Sequence, residues 1–405
     1  MNDDLHHLIA SFSRIGATEA GGVCRLTGTT QDAEARRLFA AEARQRGADI
    51  VVDPIGNMFA TFPLKPSSES TVLVGSHLDS QPTGGRYDGA FGVLAALAAA
   101  SDIASNPPRG MQHNLTVVNW TNEEGARFQP SLTGSSVYTG ALALTDALAL
   151  EDRAGISLGS ALDETGFLGD RPFPLRPTRY VELHIEQGDQ LETAGVEIGV
   201  VTGVWATRKM TVSFLGEASH TGPTPMRRRR DALRAAALAI TRLYDMIEEA
   251  DLRLHAAASQ LTIHPQSPNV VPSHVRVWFE LRHPELETAS RIADAFLDDI
   301  RLRVALRGID VRVDADEKRA NILLDATGAE IARQAAASFG KSSLDMMTIA
   351  GHDAIALQKK VPSTLLFVPS AGGLSHNERE YTAPKDLENG LQVLRETLTR
   401  MLASG

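Results

Sequence analysis

A strand, a polar loop and a helix follow one another within residues 72–100, and this stretch constrains the fold more than any other. The first apolar run ends at Val74, His77 and Asp79 follow it, and Asp88 precedes a long Ala/Leu-rich stretch. A short apolar run that passes through glycines into a helical pattern is typical of an α/β sheet. In such sheets ligands bind beyond the carboxyl ends of the strands. The loop is therefore predicted on the functional side of the fold.

The histidine and the two aspartates in this loop favour a metal site. His77 can supply one ligand while the carboxylate of Asp79 accepts its other ring N–H, and Asp88 can bridge two cations through its two oxygens. The alternative is a tight turn or a phosphate-binding loop built on the glycines of the same stretch. A phosphate loop would need Lys and Ser/Thr after its glycines, and a dinucleotide loop would need Gly-x-Gly-x-x-Gly. The sequence contains neither pattern here.

Length and charge limit the remaining possibilities. A chain of 405 residues exceeds what one core usually organises, so two domains are expected. A net charge of -10 argues against a nucleic-acid or lipid-surface partner. The single cysteine, Cys24, fits a reducing compartment. No segment has the pattern of a signal peptide or a membrane span, and a cytoplasmic protein is expected.

Two further apolar runs also end in polar residues. Residues 115–120 read as a strand followed by Glu123 and Glu124, where Glu124 could bind metal and Glu123 could take the proton of the attacking water. A third strand over residues 179–188 carries His184 on the face that alternation assigns to it. An acidic surface turn and a core histidine are the alternatives for these two positions.

Composition changes near residue 205, where a separate α+β unit is expected to begin. Strands and helices alternate from residue 206 to residue 324, which we predict to be a domain inserted into a catalytic domain of residues 1–205 and 325–405. The catalytic domain then resumes with a helix, an apolar strand over residues 363–368 and a Gly-Gly turn followed by His376. His376 is the last candidate ligand.

The candidate ligands come from three strand ends and one late loop, and they are His77, Asp88, Glu124, His184 and His376. If Asp88 is shared, each of two metals has three protein ligands and an open position, as in catalytic rather than structural sites. The mixed nitrogen and oxygen donors suit Zn²⁺, Mn²⁺, Co²⁺ or Ni²⁺, and the sequence does not distinguish among them.

These residues and their surroundings resemble the M20 metallopeptidase-like family, and within it the hydantoinase/carbamoylase branch of amidohydrolases. The similarity covers nearly the whole chain. In the peptidase branch the ligand at the third strand is usually an acid, whereas this chain has His184. The segments that carry the resemblance are 21–26, 53–57, 75–79, 84–89, 122–125, 182–188, 219–226, 269–272, 351–354 and 375–378.

The resemblance implies roles that spacing alone does not give. It implies an α/β catalytic domain, a mixed sheet flanked by helices with a dinuclear metal site, and an inserted α+β domain that serves as lid and dimerisation domain. It implies that Glu123 is the general base and that His220 of one subunit of a homodimer stabilises the oxyanion in the other. Residues expected to contact the substrate are Gln187, His220, Asn269, Arg282, Gly351, Gly372 and Gly373. Arg282 would bind a carboxylate, which suits guanidinium geometry.

The expected activity is metal-dependent hydrolysis of the ureido C–N bond of a small carboxylate substrate. An N-carbamoyl-L-amino acid is the first expectation, with the amino acid, ammonia and carbon dioxide as products. Allantoate and β-ureidopropionate are alternatives within the same chemistry. A non-catalytic relative that acts as a binding protein is the alternative of another class, and it would be expected to lack a ligand or the base. All five candidate ligands and Glu123 are present.

Overall fold

The structure is a computed structural model that describes residues 2–250 and 253–403. The chain divides into two compact units. The first comprises Met1–Thr202, Leu324–Met346 and Ala350–Gly405, and the second comprises Gly203–Leu323 and Met347–Ile349. The outermost ends of the catalytic domain predicted from the sequence, residues 1, 404 and 405, lie outside the described residues.

Helices and strands alternate along the chain. The helices are α1 Asn2–Phe12, α2 Thr30–Gln45, α3 Ala90–Ser105, α4 Thr133–Thr139, α5 Leu144–Leu148, α6 Leu158–Thr165, α7 Gln190–Ala194, α8 Ala232–Ala250, α9 Leu286–Ala305, α10 Ala326–Ser338, α11 Asp353–Leu357 and α12 Pro384–Ala403. The strands are β1 Asp49–Val52, β2 Met58–Phe62, β3 Ser70–His77, β4 Asn114–Trp120, β5 Arg176–Ile185, β6 Ile198–Val204, β7 Ala206–Leu215, β8 Ser219–His220, β9 His255–His264, β10 Val270–Val271, β11 His274–His283, β12 Asp310–Arg319, β13 Ile322–Leu323, β14 Ser343–Thr348 and β15 Ser363–Val368. Short 3-10 turns lie at Met226–Arg228 and Ala371–Gly373.

A mixed sheet forms the centre of the first unit. Its strands follow the order β1-β2-β4-β3-β5-β15-β6, and β14 also pairs with β6. Within this sheet β4, β3, β5 and β15 are neighbours that run parallel to one another. Strands β3, β4 and β15 are buried along their whole length, which explains why they read as continuous apolar runs. The carboxyl ends of four adjacent strands therefore meet at one edge of the sheet.

Helix α3 packs at the centre of the larger core. It contacts β3, β4 and β5 and also helices α1 and α12. Because seven of its sixteen residues are alanine, both the sheet and the outer helices can approach its backbone closely. Gly92 shows how close this approach is, since a Cβ at this position would lie 2.3 Å from the carbonyl oxygen of Leu183. The helix thereby fixes the position of the loop that precedes it.

Most of the elements predicted from the sequence are confirmed, with differences at their ends. The hairpin around residues 53–57 is present as β1 and β2. Helix α2 begins at Thr30 and is capped by Thr29, whose hydroxyl accepts from the N–H of Asp32. Strands β6 and β14 were not predicted from the sequence.

The second unit has its own sheet and core. Strands β12-β7-β11-β9 form a four-stranded antiparallel sheet, and helices α8 and α9 pack on one of its faces. Burial alternates strictly along β11, as expected for a sheet covered on one side. A two-stranded ribbon of β8 and β10 lies in the same unit, and β13 pairs with the last residues of β6. Within residues 2–250 and 253–403, no helix combines the length and apolarity that crossing a membrane requires.

Candidate metal centre

Four parallel strands deliver the candidate ligands to one edge of the sheet in the first unit. His77 is the last residue of β3, and His184 lies one residue before the end of β5. The loop after β4 carries Glu123 and Glu124, and the loop after β15 carries His376. Because these strands are adjacent and parallel, residues far apart in the sequence converge here.

The first group of ligand atoms surrounds one oxygen of Asp88. His77, Asp88 and His184 are all buried, and each has a ligand atom within 4.8 Å of the others. Asp88 Oδ1 lies 3.2 Å from Nε2 of His184 and 3.8 Å from Nε2 of His77. The second oxygen faces another pair of residues.

A second group forms at Asp88 Oδ2, together with Glu124 and His376. Nε2 of His376 lies 3.4 Å from this oxygen and 3.3 Å from Oε2 of Glu124. His376 is half exposed, whereas Asp88 is buried. The geometry therefore brings together all five ligands predicted from the sequence, with Asp88 between the two groups.

Backbone carbonyls orient the two buried histidines. Nδ1 of His77 donates to the backbone oxygen of Asp79 at 2.9 Å, and Nδ1 of His184 donates to that of Ile185 at 2.8 Å. Each bond fixes the tautomer that places the lone pair on Nε2, the atom that can bind a cation. At His184 this lone pair accepts from the backbone N–H of Gly89 at 3.1 Å.

The role predicted for the Asp79 side chain is therefore corrected. Its carboxylate does not accept the proton of His77, from whose Nδ1 its Oδ1 is 3.8 Å away. It accepts instead from the backbone N–H groups of Glu123 and Glu124, both at 3.3 Å, and from the hydroxyl of Thr27 at 3.2 Å. The cause is that the backbone oxygen of Asp79 already occupies the position facing the imidazole. Asp79 thus positions the loop that carries Glu123 and Glu124.

The loops around the centre hold an unusual backbone conformation. Within the described part of the chain, the non-glycine residues with positive φ are Asn122, Leu132, Gln187 and His376, at 52° to 60°. All four belong to the loops that carry the candidate site. Such conformations cost on the order of 1–3 kcal/mol each and persist where the surrounding contacts enforce them. Gly89 is required for a different reason, since a Cβ there would lie 2.3 Å from the His77 ring.

Confined negative charge dominates the electrostatics of the cluster. Burial, followed by repulsion from Asp353 and Glu124, raises the pKa of Glu123 well above its usual range. Burial and repulsion from Asp88 shift the pKa of Glu124 in the same direction. Burial also opposes ionisation of Asp88, but its hydrogen bond with His184 and the neighbouring histidine charges lower its pKa. A cation among these carboxylates would offset their repulsion.

The donor set fits two divalent cations. Three imidazole nitrogens and two carboxylates match the ligand preferences of Zn²⁺, Mn²⁺, Co²⁺ and Ni²⁺. The side-chain oxygen of Gln187 is buried and has no hydrogen-bond partner among the described residues, although its Nε2 donates to Asp88 Oδ2 at 3.0 Å. This oxygen therefore remains available to a bound ligand.

Glu380 and Gln81 support the centre and were not identified from the sequence. Oε1 of Glu380 accepts from the backbone N–H groups of Tyr87 and Asp88 at 3.0 and 3.1 Å. Its Oε2 accepts from the hydroxyl of Ser375 at 3.0 Å, and this hydroxyl also lies 3.2 Å from Asp88 Oδ2. Gln81 donates to Glu124 at 2.8 Å. The spacing of Glu380, four residues after His376, was the only signal in the sequence.

The predicted oxyanion residue lies in the second unit. His220 is exposed in the β8–β10 ribbon, where it pairs with Val270, and the N–H of Thr221 donates to the carbonyl oxygen of Asn269 at 3.2 Å. Nδ1 of His220 accepts from the N–H of Gly222 at 3.0 Å. A neutral imidazole in this arrangement carries its proton on Nε2, which can then donate to a ligand.

Arg282 lies at the far end of β11 and already has partners. Its Nε and Nη2 contact Oε1 of Glu280 at 3.0 and 2.9 Å, and Nη1 donates to the carbonyl oxygen of Ile349. Arg282 and its two partners belong to the second unit. A substrate carboxylate would have to share this guanidinium with Glu280.

The three glycines predicted to contact the substrate lie in the first unit. The backbone N–H groups of two of them already donate hydrogen bonds within the protein. The N–H of Gly372 donates to Glu192 at 2.7 Å, and that of Gly373 donates to the carbonyl oxygen of Ser370 at 3.2 Å. Gly351 is exposed just before α11. Any contact of Gly372 or Gly373 with a substrate would therefore use the carbonyl oxygens or the open space rather than the N–H donors.

Comparison with known proteins decides the family. The sequence model of Peptidase family M20/M25/M40 matches residues 73–400. The chain belongs to this family. It is 35% identical over 405 residues to an N-carbamoyl-L-amino-acid amidohydrolase of Rhizobium meliloti, covering 97% of this chain and 94% of that protein. It is 32% identical over 396 residues to an allantoate amidohydrolase of Bacillus subtilis, covering 96% and 95%.

A solved structure agrees with this assignment. A hydantoinase/carbamoylase family amidase from Burkholderia vietnamiensis superposes with a TM-score of 0.90 at 35% identity, covering 100% of this chain and 98% of that chain. The predicted family branch and the predicted α/β fold with a mixed sheet are confirmed. So is the enzyme class, a hydrolase of carbon–nitrogen bonds other than peptide bonds.

The shared position of Asp88 generates a prediction about metal content. We expect Asp88→Ala to lose both cations, because each group of ligands uses one of its oxygens. His376→Ala should lose only the cation held with Glu124. Elemental analysis of the dialysed proteins measures the stoichiometry, and Asn377→Ala serves as the matched control beside His376. Equal metal loss in both variants would contradict a bridging Asp88.

Proposed function

We propose that this M20 family enzyme hydrolyses the ureido C–N bond of a small carboxylate, with an N-carbamoyl-L-amino acid as its substrate. The products would be the amino acid, ammonia and carbon dioxide. The names of the Rhizobium and Bacillus relatives support a ureido-type substrate carrying a carboxylate. The observation that carries the hydrolytic mechanism is a buried acid, Glu123, placed beside the ligands but outside both groups. Allantoate and β-ureidopropionate remain the alternatives.

The metals and Glu123 have separate tasks in this mechanism. Two divalent cations held by His77, Asp88, Glu124, His184 and His376 would lower the pKa of water and polarise the substrate carbonyl. Glu123 Oε2 lies 3.4 Å from Nε2 of His77, so its carboxylate borders the same space. Glu123 takes a proton from the attacking water and returns it to the nitrogen that leaves when the C–N bond breaks. Asp79 holds the amides of Glu123 and Glu124 and keeps the base in position.

Residues of the second unit complete the proposal. His220 would donate through Nε2 to the oxygen that becomes negative, and Arg282 and Asn269 would bind the substrate carboxylate. Gln187 would offer its unpartnered oxygen to the ureido N–H groups, beside Gly351, Gly372 and Gly373. We further propose that residues 206–324 act as lid and dimerisation domain. The single cysteine supports a cytoplasmic location.

Substitutions of Glu123 and Glu124 test which of the two is the general base and which is a metal ligand. Glu123→Gln should lower kcat by about 10²–10⁴ with metal content retained, because an amide cannot accept the proton of water. Glu124→Gln is the matched neighbour and should instead lower metal occupancy. Both effects are read from steady-state kinetics and elemental analysis of the same preparations. Metal loss in Glu123→Gln together with retention in Glu124→Gln would reverse the two roles.

A substrate panel with ammonia release as readout tests the activity. We expect turnover of N-carbamoyl-L-amino acids and the highest kcat/KM within this group, because the relative with this name is 35% identical to the chain and the allantoate amidohydrolase is 32% identical. Allantoate and β-ureidopropionate are the alternative substrates in the panel. The amide of an N-carbamoyl amino acid tests whether the substrate needs a carboxylate. Faster turnover of allantoate would replace the proposed substrate. No ammonia from any member, in protein shown to contain metal, would reject the activity.

A mixing experiment tests whether His220 acts across a homodimer. Glu123→Gln and His220→Ala proteins should each be nearly inactive, because every active site lacks either the base or the oxyanion donor. After joint unfolding and refolding, a heterodimer would contain one site with both lesions and one without any. Half of the dimers are heterodimers, so roughly a quarter of the wild-type activity should return. Activity that stays at the level of the parents would place His220 within its own subunit.

A further inference from the structure

A cavity separate from the candidate metal centre lies in the first unit. Its volume is about 580 Å³, and its walls come from the β1–β2 turn, the segment from α4 to α5, residues 172–177 and the turn between α11 and β15. None of the proposed ligands or substrate residues lines it. Pockets of this size commonly hold small organic molecules. The proposed hydrolysis assigns no role to this cavity.

The walls are mainly apolar, and aromatic packing holds them in place. Phe173 lines the cavity and stacks on Phe59, which is buried, with ring centroids 4.2 Å apart and planes inclined by 13°. The ring of Tyr138 lies 5.3 Å from that of the buried Trp120. Val137 adds aliphatic surface. An apolar body of one ring or a branched chain would find a formed surface here.

Two cations at the same cavity have no acidic partner. Lys360 Nζ donates to the carbonyl oxygen of Tyr138 at 3.1 Å and lies 5.6 Å from its ring centroid. Arg176 is an exposed residue at the start of β5, and within residues 2–250 and 253–403 its guanidinium forms neither an ion pair nor a hydrogen bond. The carboxylate of Asp53 also lines the cavity, but it already accepts from Ile55 and Asn57. A ligand with one negative group would therefore meet two uncompensated positive charges.

One route from the cavity to the catalytic loop passes through a buried amide. Asp53 Oδ2 accepts from Nδ2 of Asn57 at 2.9 Å. Oδ1 of Asn57 accepts from the N–H of Thr121 at 3.0 Å, and its Nδ2 also donates to the carbonyl oxygen of Gly134 at 3.1 Å. Thr121 opens the loop that carries Glu123. Asn57 thus connects a wall of the cavity to the start of this loop.

A second route passes through α4. The N–H of Leu132, just before the helix, donates to the carbonyl oxygen of Glu123 at 2.8 Å, and the N–H of Thr133 donates to that of Asn122 at 3.2 Å. Tyr138 at the other end of this short helix faces the cavity. A molecule packed against Tyr138 and Asp53 would therefore restrain both supports of the loop.

We propose that this cavity is a second binding site for a small carboxylate with an aromatic or branched apolar body, and that its occupancy stabilises the loop carrying Glu123. The apolar walls take the body, while Arg176 and Lys360 take the carboxylate. The inference does not depend on the proposed ureido substrate.

Phenylacetate and its neutral analogue phenylacetamide test the binding site. Titration calorimetry is done on the full-length Arg282→Ala protein, so that binding at the proposed substrate carboxylate site does not contribute. We expect phenylacetate to bind one site per chain at least about tenfold more tightly than phenylacetamide, because only the acid forms charged hydrogen bonds. Equal affinities for the two compounds would overturn the proposal, as would the absence of binding.

Variants then locate the site. Adding Arg176→Met and Lys360→Met should weaken phenylacetate binding by at least about tenfold, whereas Arg171→Met and Lys359→Met, outside the cavity lining, should leave it unchanged. Val137→Trp should block binding by filling the cavity, and thermal unfolding verifies that each variant is folded. Unchanged binding in the double charge variant or in folded Val137→Trp would place the ligand elsewhere and overturn the proposal.

Hydrogen exchange reads the effect on the loop without any enzyme assay. With phenylacetate bound, peptides that cover residues 119–134 should exchange more slowly, because both supports of the loop are restrained. Peptides of the second unit serve as the internal control. Unchanged exchange over residues 119–134 at saturating phenylacetate would overturn the coupling. The result is independent of whether a ureido compound is the substrate.

Discussion

A single buried carboxylate, Asp88, is the constraint on which the candidate centre depends. Its two oxygens face different groups of ligand atoms, so its position sets the position of both. Several residues surround Asp88. Glu380 accepts from its backbone N–H, Gln187 donates to its side chain, and the hydroxyl of Ser375 lies 3.2 Å from its Oδ2. Even the next residue is constrained, since only glycine at position 89 leaves room for the His77 ring. Burying an acid so completely is costly unless positive charge lies nearby. The proposed cations would supply that charge between the neutral imidazoles.

The architecture explains why the sequence revealed so much of this site. Parallel strands buried on both faces appear as continuous apolar runs, and their carboxyl ends share one edge of the sheet. A polar residue directly after such a run is therefore near the polar residues after the neighbouring runs. His77, Glu124 and His184 can be grouped on this basis from the sequence alone. His376 follows the same rule, because β15 is parallel to β5. The inserted domain over residues 206–324 was predicted from the change in composition near residue 205.

The sequence could not show which atom of a residue, backbone or side chain, forms a given hydrogen bond. The pair His77 and Asp79 suggested a bond between side chains, but the backbone oxygen of Asp79 takes that place and its carboxylate holds another loop. Such a choice depends on local dihedral angles that no spacing rule encodes. Glu380 was missed because it lies late in the long loop after β15, near the start of α12, rather than directly after the strand. Its role arises only when the loop after β15 meets the loop after β3. Likewise, β14 was missed because the half-exposed segment lacks an apolar run.

The loop that carries Glu123 is held by hydrogen bonds along its length. The carboxylate of Asp79 accepts from the N–H groups of Glu123 and Glu124. Asn57 accepts from the N–H at the start of the loop, and the residues at the start of α4 donate to its carbonyl oxygens. The strained dihedrals of Asn122 and Leu132 lie at these two attachment points. Such strained conformations persist only where the surrounding contacts stabilise them by more free energy than the strain costs. The loop is therefore held by its neighbours rather than by its own conformational preference. Because the general-base role proposed for Glu123 requires a placement within hydrogen-bond reach of the attacking water, the residues that hold this loop are as important to that role as the acid itself.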